Sequence, residues 1–266
     1  MKLKTLAAIA LAATTVTSVA SFASCSEKNK LIVYTEAGFA PWEFTKEGST
    51  EIIGVDVEIA KYIANKYDYE LEIINGSFDS IVAGISEDNA LGIAGISWKA
   101  ERAEKVEYSD FYYGGAFQSV VYLKSSNPTL TEDNDFAVSN FEGAKVVYQT
   151  GTTSQMTIDE NKTEWKIAAQ ADFKEVVAAL QEMKDTANTY LIVDSQVAAQ
   201  LVASNNDCAY STIEGVDAES YGVVAKKGNT ELIAKVNEAI KELLVKDDDG
   251  KNQIDKWLAQ YEAMAE

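Results

Sequence analysis

Ala94-Gly95-Ile96-Ser97-Trp98-Lys99-Ala100-Glu101-Arg102 follows the short apolar run Ala90-Leu91-Gly92-Ile93, which reads as a buried strand. A glycine just past a strand lets backbone come close to another group. Ser97 offers a hydroxyl and an N–H. Arg102 offers a planar fork of five donors that matches a carboxylate. The stretch therefore reads as a grip for the carboxylate of a small ligand. The competing reading is an arginine on a solvated helix, among Lys99, Glu101, Glu104 and Lys105.

Upstream, the β-rich run Leu31-Ile32-Val33-Tyr34 predicts a first strand, ending near Glu36. Phe39-Ala40-Pro41-Trp42-Glu43-Phe44 places bulky rings in a loop, because Pro41 forbids a regular helix there. Some of these rings pack on the core, and at least one is expected beside a cleft. Val57, Ala60, Ala64 and Tyr67 recur at helical spacing, with Asp56 placed to cap that helix. Residues 69–74 predict a second strand, a short helix runs to Ile85, and residues 90–95 form the third strand. The alternation implies a parallel sheet covered on both faces, with ligands held at the carboxyl ends of its strands.

Residues 106–111 and 116–124 read as two further extended runs, with the candidate hinge Tyr112-Tyr113-Gly114-Gly115 between them. The polar residues 125–134, with Pro128, read as a connection. A second α/β pattern starts at Lys145-Val146-Val147-Tyr148-Gln149 and leads into Thr150-Gly151-Thr152-Thr153-Ser154, either a polar-ligand loop or a capped helix start. Residues 165–169 predict a strand. Asp172 and Glu175 resemble a capping box, followed by an apolar face of Phe173, Val176, Val177, Leu180 and Met183. Residues 189–193 form a strand ending at Asp194, which serves either as a helix cap or as a site acid. A helix over 195–203 and a strand over 208–213 follow, and residues 221–225 rejoin the first lobe. Leu232, Ile233, Val236, Ile240 and Leu243 mark the inward face of a long helix. The Asp247-Asp248-Asp249-Gly250 turn then precedes a last helix with Ile254, Trp257, Leu258 and Tyr261.

The 266 residues suffice for two medium domains, and the formal net charge of −19 argues against a nucleic-acid partner, which needs a basic face. There is no histidine, and the two cysteines offer no metal-site spacing. No metal or cofactor is expected. The N-terminus reads as an export signal: Lys2 and Lys4, an apolar stretch over 6–22, then Phe22-Ala23-Ser24-Cys25. That tetrapeptide resembles a bacterial lipobox, with lipidation at Cys25 after removal of residues 1–24; the alternative is ordinary cleavage near Ala23. Cys208 reads as a small buried filler, with a Cys25–Cys208 disulfide the weaker alternative.

Taken in order, several motifs carry a resemblance. They are Gly38-Phe39-Ala40-Pro41-Trp42-Glu43-Phe44, Gly54-Val55-Asp56-Val57-Glu58-Ile59-Ala60, Ser77-Phe78-Asp79, Ala94-Gly95-Ile96-Ser97 with Glu101-Arg102, and Tyr108-Ser109-Asp110-Phe111-Tyr112. Gln149-Thr150-Gly151-Thr152-Thr153, Val193-Asp194 and Tyr221-Gly222-Val223 complete the set. From about residue 31 to 260 the chain resembles extracellular solute-binding protein family 3, the polar-amino-acid-binding proteins of ABC importers. The resemblance implies an α/β, two-lobe type II periplasmic binding protein fold with two hinge strands. Residues 31–112 and 221–266 would form lobe 1, residues 116–217 lobe 2, and the hinges would lie at about 112–116 and 217–221.

The resemblance also implies site roles. Arg102 would clamp an α-carboxylate, helped by Ser97 and by Thr152 or Thr153. Asp194 and the Gly95 carbonyl would take the α-ammonium. Phe39 and Phe78 would sandwich the ligand, and Glu36, Trp98 and Gln149 would line its side-chain end. Glu36 stands where Asp is frequent, and Thr153 where Gly is frequent. The implied protein is a monomer, exported and lipid-anchored at the cell surface, that hands an L-amino acid to ABC permease subunits. A neutral polar, aromatic or cationic ligand suits Glu36 better than an acidic one. The alternatives are a cleft enzyme of the same fold, resembling cyclohexadienyl dehydratase with Glu36 as its acid, and a ligand-sensing receptor domain.

Overall fold

The computed structural model describes residues 29–127, 129–130 and 135–265; the leader, Cys25 and Pro128 lie outside the described residues. The first part of the chain comprises β1 (Lys30–Thr35), β2 (Gly38–Phe39), β3 (Glu43–Thr45), β4 (Ile52–Ile53), α1 (Val55–Lys66), β5 (Glu70–Asn75), α2 (Phe78–Ala83), β6 (Ala90–Gly92), α3 (Ala100–Ala103) and β7 (Val106–Ala116). The second comprises β8 (Gln118–Leu123), β9 (Lys145–Gln149), α4 (Thr153–Asn161), β10 (Ala169–Phe173), α5 (Val176–Asp185), β11 (Thr189–Asp194), α6 (Ser195–Ala203) and β12 (Cys208–Thr212). The chain then returns through β13 (Glu219–Lys226), α7 (Thr230–Leu243) and α8 (Gln253–Ala265).

Two five-stranded sheets result, in the orders β5-β1-β6-β13-β7 and β10-β9-β11-β8-β12, with a small β2-β3-β4 sheet beside the first. Each centres one lobe of an α/β, two-lobe fold. The three strands read as parallel, β1, β5 and β6, are parallel, and later strands make both sheets mixed. β1 runs parallel to β5 and β6, but β13 runs antiparallel to β6 and β7. In the second sheet β9 is parallel to β10 and β11, whereas β8 is antiparallel to β11 and β12. The antiparallel strands are those that carry the chain between lobes: β7 leads out into β8, and β13 leads back. Glu219 pairs with Ala116 where the two crossings lie side by side.

The apolar patterns account for the packing. All three β6 residues are buried, with Ile93, Ala94 and Ile96 beyond them. Leu232, Ile233, Val236, Ile240 and Leu243 of α7 are buried, as their helical spacing predicts. Trp42 sits wholly inside, edge-on to Tyr113 at 4.6 Å and to Tyr221 at 5.1 Å between ring centres. Cys208 is buried and reduced. Asp247 accepts the N–H groups of Asp249 and Lys251 and pairs with Lys256, so the Asp run is a solvated turn.

Four expectations are corrected. The two extended runs read around the glycine pair join at this end: β7 continues through Gly114 and Gly115 to Ala116, with Gly115 at φ of 95° where the pairing with β13 shifts register between Glu219 and Ser220. Residues 165–169 do not form a strand. Trp165 lies in the turn after α4, stacked on Phe141 at 5.2 Å, and β10 begins at Ala169. Phe173 therefore belongs to β10 rather than to a helix, and Val177 is exposed. Asp56 does not cap α1: Gly54 holds the cap position, and Asp56 turns inward to the Gly95 N–H.

Candidate functional site

The ends of β6, β9 and β11 face one another across a cleft. Phe39, Phe78, Gly95, Ser97 and Arg102 line it from the first lobe, and Gln149, Thr152, Thr153, Ser154, Ile192, Val193 and Asp194 from the second. The enclosed space is about 20 Å³, room for a single water, so the lobes stand closed on each other.

Gly95 follows β6 with φ of 52°, and a Cβ there would lie 2.9 Å from the Phe39 ring. Only glycine turns the chain here without strain and leaves the ring its place. Its N–H donates to Asp56 Oδ2 at 2.7 Å, and Tyr112 donates to the same oxygen at 3.0 Å. Extended backbone follows, so successive side chains alternate. Ser97 is buried on the cleft side, while Trp98 is 47% exposed and lines a separate surface depression with Phe111 and Glu219. The structure therefore does not bring Trp98 to the cleft.

Arg102 is the buried residue of the one-turn helix α3. Nη1 donates to the Ser97 carbonyl at 2.8 Å, and Nη2 reaches across the cleft to the Gly151 carbonyl at 2.7 Å. The guanidinium carbon lies 5.4 Å from the Phe78 ring centre, and Nε is buried without a partner. Burial lowers its pKa, opposed by Tyr108, Glu219 and Asp194. A cation this enclosed gains most from an anion brought to it.

Asp194 stands at the start of α6 but makes no capping bond with its side chain. Oδ1 accepts from Gln118 Nε2 at 2.7 Å, and Oδ2 accepts the Tyr221 hydroxyl. Burial first, and then the charge of Glu219, raise its pKa to about 7. The Thr153 hydroxyl donates to Glu219 Oε2 at 2.7 Å, and Glu219 also pairs with Lys99 at 3.0 Å. Thr152 caps α4 and donates to the Gln149 carbonyl at 2.7 Å. Both threonine hydroxyls are thus committed within the protein. Glu36 is buried beside Gly38 and against the Gln149 amide of the cleft wall, and Gln149 Nε2 donates to the Lys174 carbonyl at 2.9 Å.

Gln118, Ser154, Glu219 and Tyr221 were not anticipated. Ser154 donates to Gln118 Oε1 at 2.7 Å, so these groups form one buried network around Asp194. The available signal was the polar pair Gln118-Ser119 heading an apolar run.

The profile of the bacterial extracellular solute-binding proteins, family 3, matches residues 31–260. The chain belongs to this family. It is 31% identical over 220 residues to the arginine-binding extracellular protein ArtP of Bacillus subtilis, spanning 82% of each chain. It is 24% identical over 244 residues to the L-cystine-binding protein TcyA of the same organism, covering 90% of this chain and 85% of that one. The amino acid ABC transporter substrate-binding protein AbpA of Streptococcus pneumoniae, solved bound to L-arginine, superposes with a TM-score of 0.76 at 27% identity. That match covers 89% of this chain and 96% of AbpA. These relatives are amino-acid-binding proteins, and no helix among the described residues is long and apolar enough to cross a membrane.

Proposed function

We propose that this family 3 protein is the substrate-binding component of an ABC importer and closes on an L-amino acid with a basic side chain. One observation carries the reading: Arg102 and Asp194 project from opposite lobes into one cleft, charges of opposite sign suited to the two ends of a zwitterion. Arg102 takes the α-carboxylate, exchanging the Gly151 carbonyl for it. Asp194 and the Gly95 carbonyl take the α-ammonium. Phe39 and Phe78 cover the aliphatic stem. Both faces are completed only when the lobes meet, so the ligand shifts the population toward the closed form.

The basic ligand class is supported by buried Glu36 against the cleft residue Gln149, and by the arginine-binding relative and the arginine-bound neighbour. The protein works as a monomer, exported and tethered by lipid on Cys25, and delivers its ligand to permease subunits.

A thermal-shift screen of the twenty L-amino acids and cystine tests this. A ligand at a hundred times its Kd stabilises by about 2.7 kcal/mol, which raises Tm by roughly 5–11 °C in a chain of this size. Arginine, lysine or ornithine should give the largest shift. A screen without a shift, or one led by cystine or an acidic residue, overturns the basic-ligand reading.

A further inference from the structure

Glu175 looks from sequence like part of a helix cap. In the structure it immediately precedes α5 and makes no capping bond with its side chain. Its carboxylate instead faces the first lobe. A Cβ placed on Gly38 would lie 2.8 Å from Glu36 Oε1 and 3.6 Å from Glu175 Oε2, so one small volume is bounded by acids from both lobes. Glu36 is 3% exposed, and its Oε2 has no hydrogen-bond partner. Glu175 is exposed. Gln149 links them: its amide faces Glu36 and donates to the carbonyl of Lys174, the residue before Glu175.

Lys174, adjacent to Glu175 in the chain, does not neutralise this pair. Lys174 Nζ pairs with Asp79 of the first lobe at 2.5 Å. Behind Glu36 stand the buried acids Glu43 and Asp56. Closing the lobes therefore brings the exposed carboxylate of Glu175 toward the buried one of Glu36, which like charges resist.

We propose that Glu36 and Glu175 form a two-lobe acid pair that holds the cationic end of the ligand's side chain and makes full closure depend on positive charge there. This rests on the amino-acid reading above and adds Glu175 as a specificity residue. The geometry explains how one site rejects a neutral ligand of the same shape. Such a ligand satisfies Arg102 and Asp194 but leaves the two acids facing each other. A guanidinium or ammonium between them converts the repulsion into two charge-assisted contacts. With no cation present a proton takes that place, consistent with the Glu36 pKa rising to about 8 through burial first and Glu175 second.

L-arginine and L-citrulline differ little in shape but differ in charge, so their affinity ratio reads the pair directly. By calorimetry the wild type should favour arginine by about a hundredfold or more. Glu175→Gln should lower that ratio about tenfold, through weaker arginine binding, with citrulline nearly unchanged. Small-angle scattering supplies a readout that a merely structural role would not move. Saturating arginine should contract the wild type more than saturating citrulline does, and the two should contract Glu175→Gln alike. If the wild type binds arginine but Glu175→Gln leaves the ratio unchanged, or both ligands contract the wild type equally, the acid pair is overturned and the basic-amino-acid reading stands. If the wild type binds neither arginine, lysine nor ornithine, both fall.

Discussion

At the scale of residues, the site is governed by a few groups that desolvation has made expensive to leave unpaired. Arg102 is enclosed by Phe78, Ser97 and Gly151, and its two guanidinium hydrogen bonds go to the backbone carbonyls of Ser97 and Gly151. Arg102→Ala should weaken amino-acid binding by on the order of 2–5 kcal/mol, about 30-fold or more, as expected for truncating one partner of a buried pair. Calorimetry with near-equal affinities for the two proteins would remove Arg102 from the carboxylate role. Asp194 makes a separate prediction. Its pKa of about 7 means that a falling pH protonates it, whereas an α-ammonium needs it ionised. Binding should therefore weaken as pH is lowered from about 8 to about 5, with proton release on binding near pH ~6. Affinity that stays flat over that range, measured in buffers of different ionisation enthalpy, would exclude Asp194 as the counter-ion.

At the scale of elements, periodicity was legible where one face of an element meets one core. The inward face of α7 was read residue by residue because its apolar positions recur every three or four residues and all are buried. Ile240→Ala should lower stability by about 2–5 kcal/mol through lost burial and the cavity left behind. Urea unfolding should show an earlier midpoint with an unchanged m-value. Misreadings arose where a distant partner set the conformation. Gly114 stays in the strand because Ser220 of β13 pairs with it, Gly115 takes up the bulge beside it, and Trp165 leaves the strand pattern because Phe141 offers a stacking face. Asp56 and Glu175 look like helix-start residues in any local window. Their carboxylates face Gly95 and Glu36, groups that lie far away along the chain.

At the scale of the whole molecule, burying acids between and behind the lobes links stability to pH. In the folded, ligand-free chain burial raises Asp56 to about 6, Asp194 to about 7 and Glu36 to about 8, from ordinary values of 3.8, 3.8 and 4.5. Between its ordinary and its raised value each acid holds a proton in the folded chain that it has lost in the unfolded one. Stability therefore falls as pH rises through that window, by about 1.4 kcal/mol per pH unit for each acid at most. Calorimetric Tm of the ligand-free protein should drop between about pH 5 and about pH 8. Saturating arginine should flatten the slope, because its two cationic groups favour the ionised acids. A Tm that rises across this range would show that exposed ion pairs dominate instead. The lobes also hold each other through Lys174–Asp79, Arg102–Gly151 and Asp194–Tyr221.

By itself the sequence determined the class of this protein: the ordered motifs, the apolar periods of the strands and helices, and the residue types that grip a zwitterion. These are local properties, set by side-chain chemistry and by the repeats of helix and strand. Tertiary structure alone decided which charges face each other. It turned Trp98 out of the cleft, drew Asp56 behind Gly95, joined Gln118 and Glu219 to Asp194, and set Glu175 against Glu36. Each of these contacts joins residues that are distant along the chain, so packing within each lobe and closure of the two lobes fix the spacing and the loss of water that give them their strength.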